Sequence, residues 1–456
     1  MTQSASGFPK SNKIERNALL QSVGTLTSRV FGLLRDIAMT AYFPRPVTDA
    51  WAAAFRFFHV YRRIISEGAI QQNLTPVIAQ KDQEKQLSRS FILGLYCKTT
   101  AVLTLISLML YLLAPHLIGQ VFSNTTTINS ANLNFDIPQL TLGYFQIMVV
   151  FVVFISLYSL SVSLLNYYGS YFIPAAAAVF FNLSLLGFVF VPVVASFLPG
   201  WGLAAGVSVG ALIQFVVLIP QLKKLPPFLE KKAINTLDSI LSFRQLLFSI
   251  KPDRIFASLV SVGFLQFISL INLHFTADLG VGAFSHFYLA DRLLEFPQSL
   301  ITASYCASLL PVLSQLKLDD LDYQRQLKKT LQHNFYLLGL ASLGLMFFAK
   351  LIAWILFYRG HFGDHDLEQL TIILQYYGPL ILIFGLSRIL LVHLSLQLKP
   401  MRILAMNLSL LLLHFIVLNS SKDQLHLTSI LQMNLITCGI LFIFYFYYSL
   451  PVFKSK

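Results

Sequence analysis

The chain has 456 residues, 56% hydrophobic and 14% aromatic but only 12% charged, and its mean hydropathy is +0.68. That profile excludes a soluble globular domain and predicts an all-α polytopic membrane protein. The formal net charge of +13 is spread over the connections between apolar stretches, so it reads as membrane topology and excludes a nucleic-acid-binding patch. Apolar runs long enough to cross a hydrocarbon layer predict about twelve helices. They lie at 17–42, 48–78, 90–118, 139–167, 172–197, 201–222, 245–276, 281–313, 331–357, 368–396, 401–419 and 427–450.

Taken in chain order, residues 1–16 are polar and show no cleavable signal peptide. The first helix is barely apolar enough to insert alone, because it carries Ser28, Arg29, Arg35 and Asp36. At about 100° per residue Arg29 and Asp36 share a face, and Arg35 lies about 120° away, still able to border a wide cavity. In the second helix Asp49, Arg56, Arg63 and Glu67 form one stripe, and Arg62 points away from it. This assigns Arg63 to an i,i+4 pair with Glu67 and leaves Arg62 for a cavity. Arginines deep in adjacent spans cost roughly 2.5 to 3.5 kcal/mol each at the bilayer centre, so they imply a protein-lined aqueous cavity and an anionic cargo. The alternative is snorkelling or fixed ion pairing inside the bundle.

The loop from Ser123 is polar, and the fourth to sixth helices are almost uncharged scaffold. A basic linker at 223–243, containing Pro226-Pro227, then separates the first six predicted helices (1–222) from the last six (244–456). The second half echoes the first. Thr75-Pro76-Val77-Ile78-Ala79-Gln80 returns as Leu310-Pro311-Val312-Leu313-Ser314-Gln315, and Asn182-Leu183-Ser184-Leu185-Leu186 as Asn407-Leu408-Ser409-Leu410-Leu411. With an even number of helices per half, such repeats are two six-helix lobes related by a pseudo-twofold axis along the membrane normal around a central cavity, the plan of an alternating-access transporter. If the N-terminus is cytoplasmic, nineteen basic residues fall at the inner loops and edges, against Arg45, Arg359 and Lys422 outside. Both termini are therefore expected in the cytoplasm.

The second half also holds Asp291, Arg292 and Glu295 in its second helix, and Arg388 as a further cavity candidate. Asp253 and Arg254 read as an ion pair at a helix start. His59, His286 and His393 are candidates for proton coupling, or hydrogen-bonded packing. Cys97, Cys306 and Cys438 have neither disulfide nor zinc spacing. Leu318-Asp319-Asp320-Leu321-Asp322 hints at a magnesium-diphosphate motif but occurs once, among basic residues, which favours a solvated charge run. No P-loop or nucleophile triad appears, so neither an ATP-driven pump nor an enzyme is expected, and no cofactor or metal.

Ser28-Arg29-Val30-Phe31-Gly32-Leu33-Leu34-Arg35-Asp36, Thr48-Asp49-Ala50, Arg62-Arg63-Ile64 with Glu67-Gly68-Ala69, Ala290-Asp291-Arg292-Leu293-Leu294-Glu295-Phe296-Pro297 and Leu310-Pro311 together resemble the MurJ (MviN) family. That family belongs to the multidrug/oligosaccharidyl-lipid/polysaccharide exporter superfamily. The resemblance implies a flippase of the bacterial cytoplasmic membrane that moves lipid II, the undecaprenyl-diphosphate-linked peptidoglycan precursor, to the outer leaflet. It further implies that Arg29, Arg35, Arg62 and Arg292 face the diphosphate headgroup, with Asp49 and Glu295 at polar positions that matter to the family. Membrane lipids and proteins of cell-wall synthesis are the other partners it implies.

Three departures from the family pattern accompany the resemblance, one of them Leu394-Ser395-Leu396-Gln397-Leu398-Lys399 before Pro400, where the family has an aromatic-basic stretch. Arg56-Phe57-Phe58-His59-Val60-Tyr61 stands where the family has Lys-Leu-Pro-Asn-Leu-Leu, and the sequence ends after its twelfth predicted helix, where the family usually adds two that groove the polyprenyl tail. The competing readings are a flippase for another polyprenyl-linked glycan, a multidrug or cation antiporter, a membrane-embedded polyprenyl-diphosphate enzyme, and a noncatalytic scaffold of cell-wall assembly.

Overall fold

The computed structural model describes residues 11–70, 74, 78–79, 82–83, 87–122, 136–191, 200–229, 252–302, 305–306, 309, 313, 316, 320–397 and 400–454. Both Pro-containing echo stretches, 75–80 and 310–315, lie largely outside these residues, as do the loop 123–135, the linker from 230 onward and the side chains of Glu67, Asp253 and Arg254.

All regular structure among the described residues is helical, the only form besides a closed barrel that satisfies its own backbone in lipid. The first half comprises α1 (Ser11–Tyr42), α2 (Arg45–Tyr61) running into a π-helical segment (Arg62–Ile70), α3 (Arg89–Val121), α4 (Ile137–Met148), α5 (Phe151–Tyr167), α6 (Phe172–Val189) and α7 (Trp201–Val216). The second comprises α8 (Pro252–Thr276), α9 (Ala283–Leu300), α10 (Leu321–Phe347), α11 (Ala349–Phe357), α12 (Asp364–Gln397), α13 (Pro400–Ser420) and α14 (Leu427–Lys454).

Six of the described helices are long and apolar enough to span a membrane alone, and eight if the bent pairs α4–α5 (41°) and α10–α11 (75°) each count as one. The helices α1, α2 and α9 fall outside that set, and these carry Arg29, Arg35, Arg56 and Arg292. Their insertion therefore depends on neighbours that cover their charges.

Neighbour relations in the first half recur in the second. α1 lies along α6 as α8 lies along α13; α2 lies against α4 as α9 lies against α12; α5 packs on α7 as α12 packs on α14. The halves meet where α2 touches α8 and α9 and where α1 touches α9 and α11. At that seam α2 is buried almost all round, from Pro46 through Phe58. Trp51 stacks on Phe55 at 4.7 Å between ring centres, meets Tyr288 of α9 edge-on and donates its indole N–H to the Leu203 carbonyl. The run Ala52-Ala53-Ala54 lets the neighbouring backbones approach that closely.

Candidate functional site

A cavity of about 730 Å³ lies along the seam between the halves. Its walls contain Arg29, Arg35, Arg62, Arg63 and Arg292, against only Asp36 and Glu295. His59, Asn166, Tyr171 and Asn182 add neutral polar groups. Of the six residues singled out from sequence, Arg29, Arg35, Arg62, Arg292 and Glu295 line this cavity.

Asp49 does not line it. It is fully buried at one end of the seam, where its carboxylate accepts from the Gly282 N–H, from the Ser285 N–H at 2.8 Å and from the Ser285 hydroxyl at 2.5 Å. The reason lies in α9, whose N-cap is Gly282 at φ +99°, a residue with no side chain to cap its own helix. Asp49 supplies that acceptor from the opposite half, with the favourable end of the helix dipole facing it. An aspartate on an arginine-bearing stripe looks the same in sequence whether it faces a cavity or a helix end.

Other contacts close the same end. Arg45 lies 3.4 Å from Asp366, which also bonds His286 at 2.8 Å. His361 N–H donates to the Ala41 carbonyl, His274 meets the Gln120 carbonyl, and Phe122 packs edge-on against Phe284. Gly360, at φ +60°, sits so tightly on Ala41 that a Cβ there would lie 2.1 Å from its carbonyl oxygen.

Inside the cavity the arginines differ in how they are held. Arg35 is 3% exposed. Its Nε and Nη2 donate to Asp36 at 2.9 and 2.6 Å, Nη2 also reaches the Tyr288 hydroxyl at 2.6 Å, and Nη1 bonds Asn182 at 3.1 Å. Asn182 in turn donates to Ser28 on α1. Arg35 thus ties α1, α6 and α9 together while one side borders the cavity. Asn182 was legible only as part of an internal echo, and its counterpart Asn407 instead accepts from Tyr445.

Glu295 collects the remaining charge. Its carboxylate lies 3.2 Å from Arg63, 3.5 Å from Arg292 and 3.8 Å from His59. Arg292 also lies over the Tyr288 ring and Arg62 over the Phe181 ring. Arg63 therefore makes a contact across the seam, and the side chain of Glu67, its expected partner, lies outside the described residues. The cause is the π-helical segment beginning at Arg62. A turn closed by i→i+5 bonds advances less per residue than an α-turn, so both adjacent arginines face the cavity.

Arg56 is paired instead with Asp291, which also accepts from Tyr377. Arg388 is exposed and away from the cavity. His393 bonds Tyr323, whereas Asp320 caps α10 and Asp322 pairs with Arg325. The aspartate-rich stretch is accordingly a helix start where it is described.

A family model described as lipid II flippase MurJ matches residues 39–394. A probable lipid II flippase MurJ from Bdellovibrio bacteriovorus is 35% identical over 399 residues, covering 86% of this chain and 73% of its own. A lipid II flippase MurJ from Burkholderia cenocepacia is 30% identical over 371 residues, covering 79% of this chain and 69% of its own. Among solved structures, a lipid II flippase MurJ in an inward closed conformation superposes with a TM-score of 0.76 at 19% identity, over 95% of this chain and 87% of that one. An inward-facing multidrug MATE transporter superposes at 0.62 with 12% identity, over 97% and 96%, so the likeness to it is one of fold.

Proposed function

The chain belongs to the MurJ family of lipid II flippases, and we propose that it carries lipid II from the cytoplasmic to the outer leaflet of a bacterial cytoplasmic membrane by alternating access. It is a transporter, without an enzymatic step. The observation that carries this reading is the cavity charge, five arginines to two carboxylates at the seam between the halves. A diphosphate offers several acceptor oxygens and at least two negative charges. Guanidinium forks match such oxygens in pairs and stay charged at any physiological pH.

The proposed cycle uses two six-helix lobes, 1–222 and 244–456, joined by the linker 223–243 and rocking about the seam. The recurring neighbour relations support that division. The Lys and Arg distribution supports placing both termini inside and the Asp49 end outside. In this state the outer end is shut. Energy would come from ion gradients or from the membrane potential, at about 2.3 kcal/mol per charge per 100 mV. Contacts with proteins of cell-wall synthesis belong to the same proposal. A cation or drug antiporter would need a cavity of the opposite sign.

The test is native mass spectrometry of the purified protein offered lipid II together with a neutral lipid of matched tail. Wild type should select lipid II, and Arg29→Ala should weaken that binding about 10- to 100-fold, the worth of a charge-assisted contact. Equal binding of both lipids would make the arginines structural and remove the headgroup from the site.

A further inference from the structure

Of the three histidines singled out for proton handling, His286 is held by Asp366 at the closed end and His393 by Tyr323, and only His59 lines the cavity. It lies in the stretch Arg56-Phe57-Phe58-His59-Val60-Tyr61, where this chain departs from the family pattern. From its surroundings we infer that His59 is a proton-binding site linked to the ligand: its ring takes up a proton from water when a diphosphate enters the cavity and returns it when the diphosphate leaves. The inference rests on the diphosphate reading above and adds that a proton accompanies the anion.

Three observations carry it. The first is how Glu295 is shared. Arg63 and Arg292 both approach its Oε2, at 3.2 and 3.5 Å, whereas Nε2 of His59 stands 3.8 Å from Oε1. That last distance is beyond hydrogen-bond reach, so the ring is a neighbour of the carboxylate and not its donor. A diphosphate bound by Arg292 competes with Glu295 for the same guanidinium. The carboxylate that loses its cation then faces a ring that supplies one by binding a proton, which makes both ring nitrogens donors.

The second observation is the charge count. The charged groups acting on the ring are Arg56 and Arg63, from α2 and its π-helical continuation, and Arg292 and Glu295 from α9. Asp291 of α9 is paired with Arg56, the Tyr288 hydroxyl donates to Asp36, and Arg29 of α1 adds a further cation acting on Glu295. Four arginines therefore stand against Asp291 and Glu295, a surplus of two before His59 carries any charge. A diphosphate diester brings two negative charges, which cancel that surplus and make room for one more cation. The third observation is access. The His59 side chain is 13% exposed and shares the cavity wall with the arginines, so a proton reaches it by the route that the ligand takes.

The probe is a soluble diphosphate diester, UDP-N-acetylglucosamine, whose two negative charges do not titrate where histidine does, between about pH 5 and 8. Its binding to the full chain in nanodiscs is followed by isothermal titration calorimetry, in two buffers of different ionisation heat so that the protons absorbed per ligand are counted. Wild type should bind about 3- to 10-fold more tightly at about pH 6 than at about pH 8, absorbing about half to one proton per ligand, because the linkage is reciprocal. His59→Asn should bring the affinity ratio to about one and remove the proton uptake. His59→Gln should do the same, and it stands in if the shorter side chain disturbs α2. Equal wild-type affinity at both pH values with no proton absorbed would overturn the proton site and leave the headgroup reading standing. Failure of the probe to bind at either pH would overturn the headgroup reading, and this inference with it. Proton uptake that persists in both His59 variants would put the proton on Glu295 or another group and also overturn the assignment.

Discussion

The two ends of the seam use the same residue types for opposite purposes. At the closed end two carboxylates are matched across the interface, Asp49 by the N-terminus of α9 and Asp366 by Arg45, with His286 of its own half bonding Asp366 as well. In the cavity the arginines outnumber the carboxylates by three. A balanced, buried set of charges holds two surfaces together, because separating it leaves uncompensated groups in low dielectric. A surplus of one sign in a water-accessible space does the reverse and recruits counter-charge from outside. The ratio of cations to acceptors, more than the presence of arginine, distinguishes the closed end from the cavity.

Arg35 breaks the simple form of that comparison, since it lines the cavity but is built like the gate. Its fork is occupied by Asp36, Tyr288 and Asn182. Arg35→Ala removes one partner of a buried pair and should destabilise the protein by about 3 to 5 kcal/mol. Thermal unfolding in detergent should fall sharply, and no wild-type yield of folded protein is expected. Unfolding at the wild-type temperature would mean that the Asp36 pair contributes nothing, and Arg35 would then stand with the ligand-facing arginines.

The next largest effect belongs to Asp49. Asp49→Ala orphans the Gly282 and Ser285 amides that it caps, a loss of about 2 to 3 kcal/mol from charged hydrogen bonds. Because the bonds join the two halves, the loss should appear as opening of this end, read as labelling of Ser285→Cys by a membrane-impermeant maleimide. Asp49→Asn retains an acceptor and should show less labelling. If Asp49→Ala leaves Ser285→Cys as protected as in wild type, Arg45, Asp366 and the Gly360–Ala41 contact suffice to keep the end shut.

Much of this was legible in sequence for a physical reason. Hydropathy and the Lys and Arg distribution report the solvent on each side of a helix, and the bilayer imposes both strongly. Arg29, Arg35, Arg62 and Arg292 were legible because a charge in an apolar span demands an explanation. What escaped depended on geometry that a fixed α-helical period hides. The π-helical segment turned Arg63 onto the cavity beside Arg62. Asp49 and Asn182 found their partners more than a hundred residues away.

The smallest expected effect on the fold is also the one that most sharpens the comparison. Glu295 is the one cavity carboxylate shared by several cations, with Arg63 and Arg292 both within 3.5 Å. Glu295→Gln keeps the shape and an acceptor oxygen, and the pair sites are partly solvated, so stability should change by no more than about 1 kcal/mol. The cavity surplus, however, rises by one positive charge. Anion binding should tighten, with a steeper dependence on ionic strength, because the added charge acts across a screened aqueous space. Transport should slow in the same variant, since a ligand bound more tightly in the starting state has further to climb before release. Titration of inorganic diphosphate at two salt concentrations separates the possibilities. Tighter, more salt-sensitive binding makes Glu295 a stand-in for the ligand's own negative charge, whereas weaker binding makes it the group that holds Arg63 and Arg292 in position to receive it.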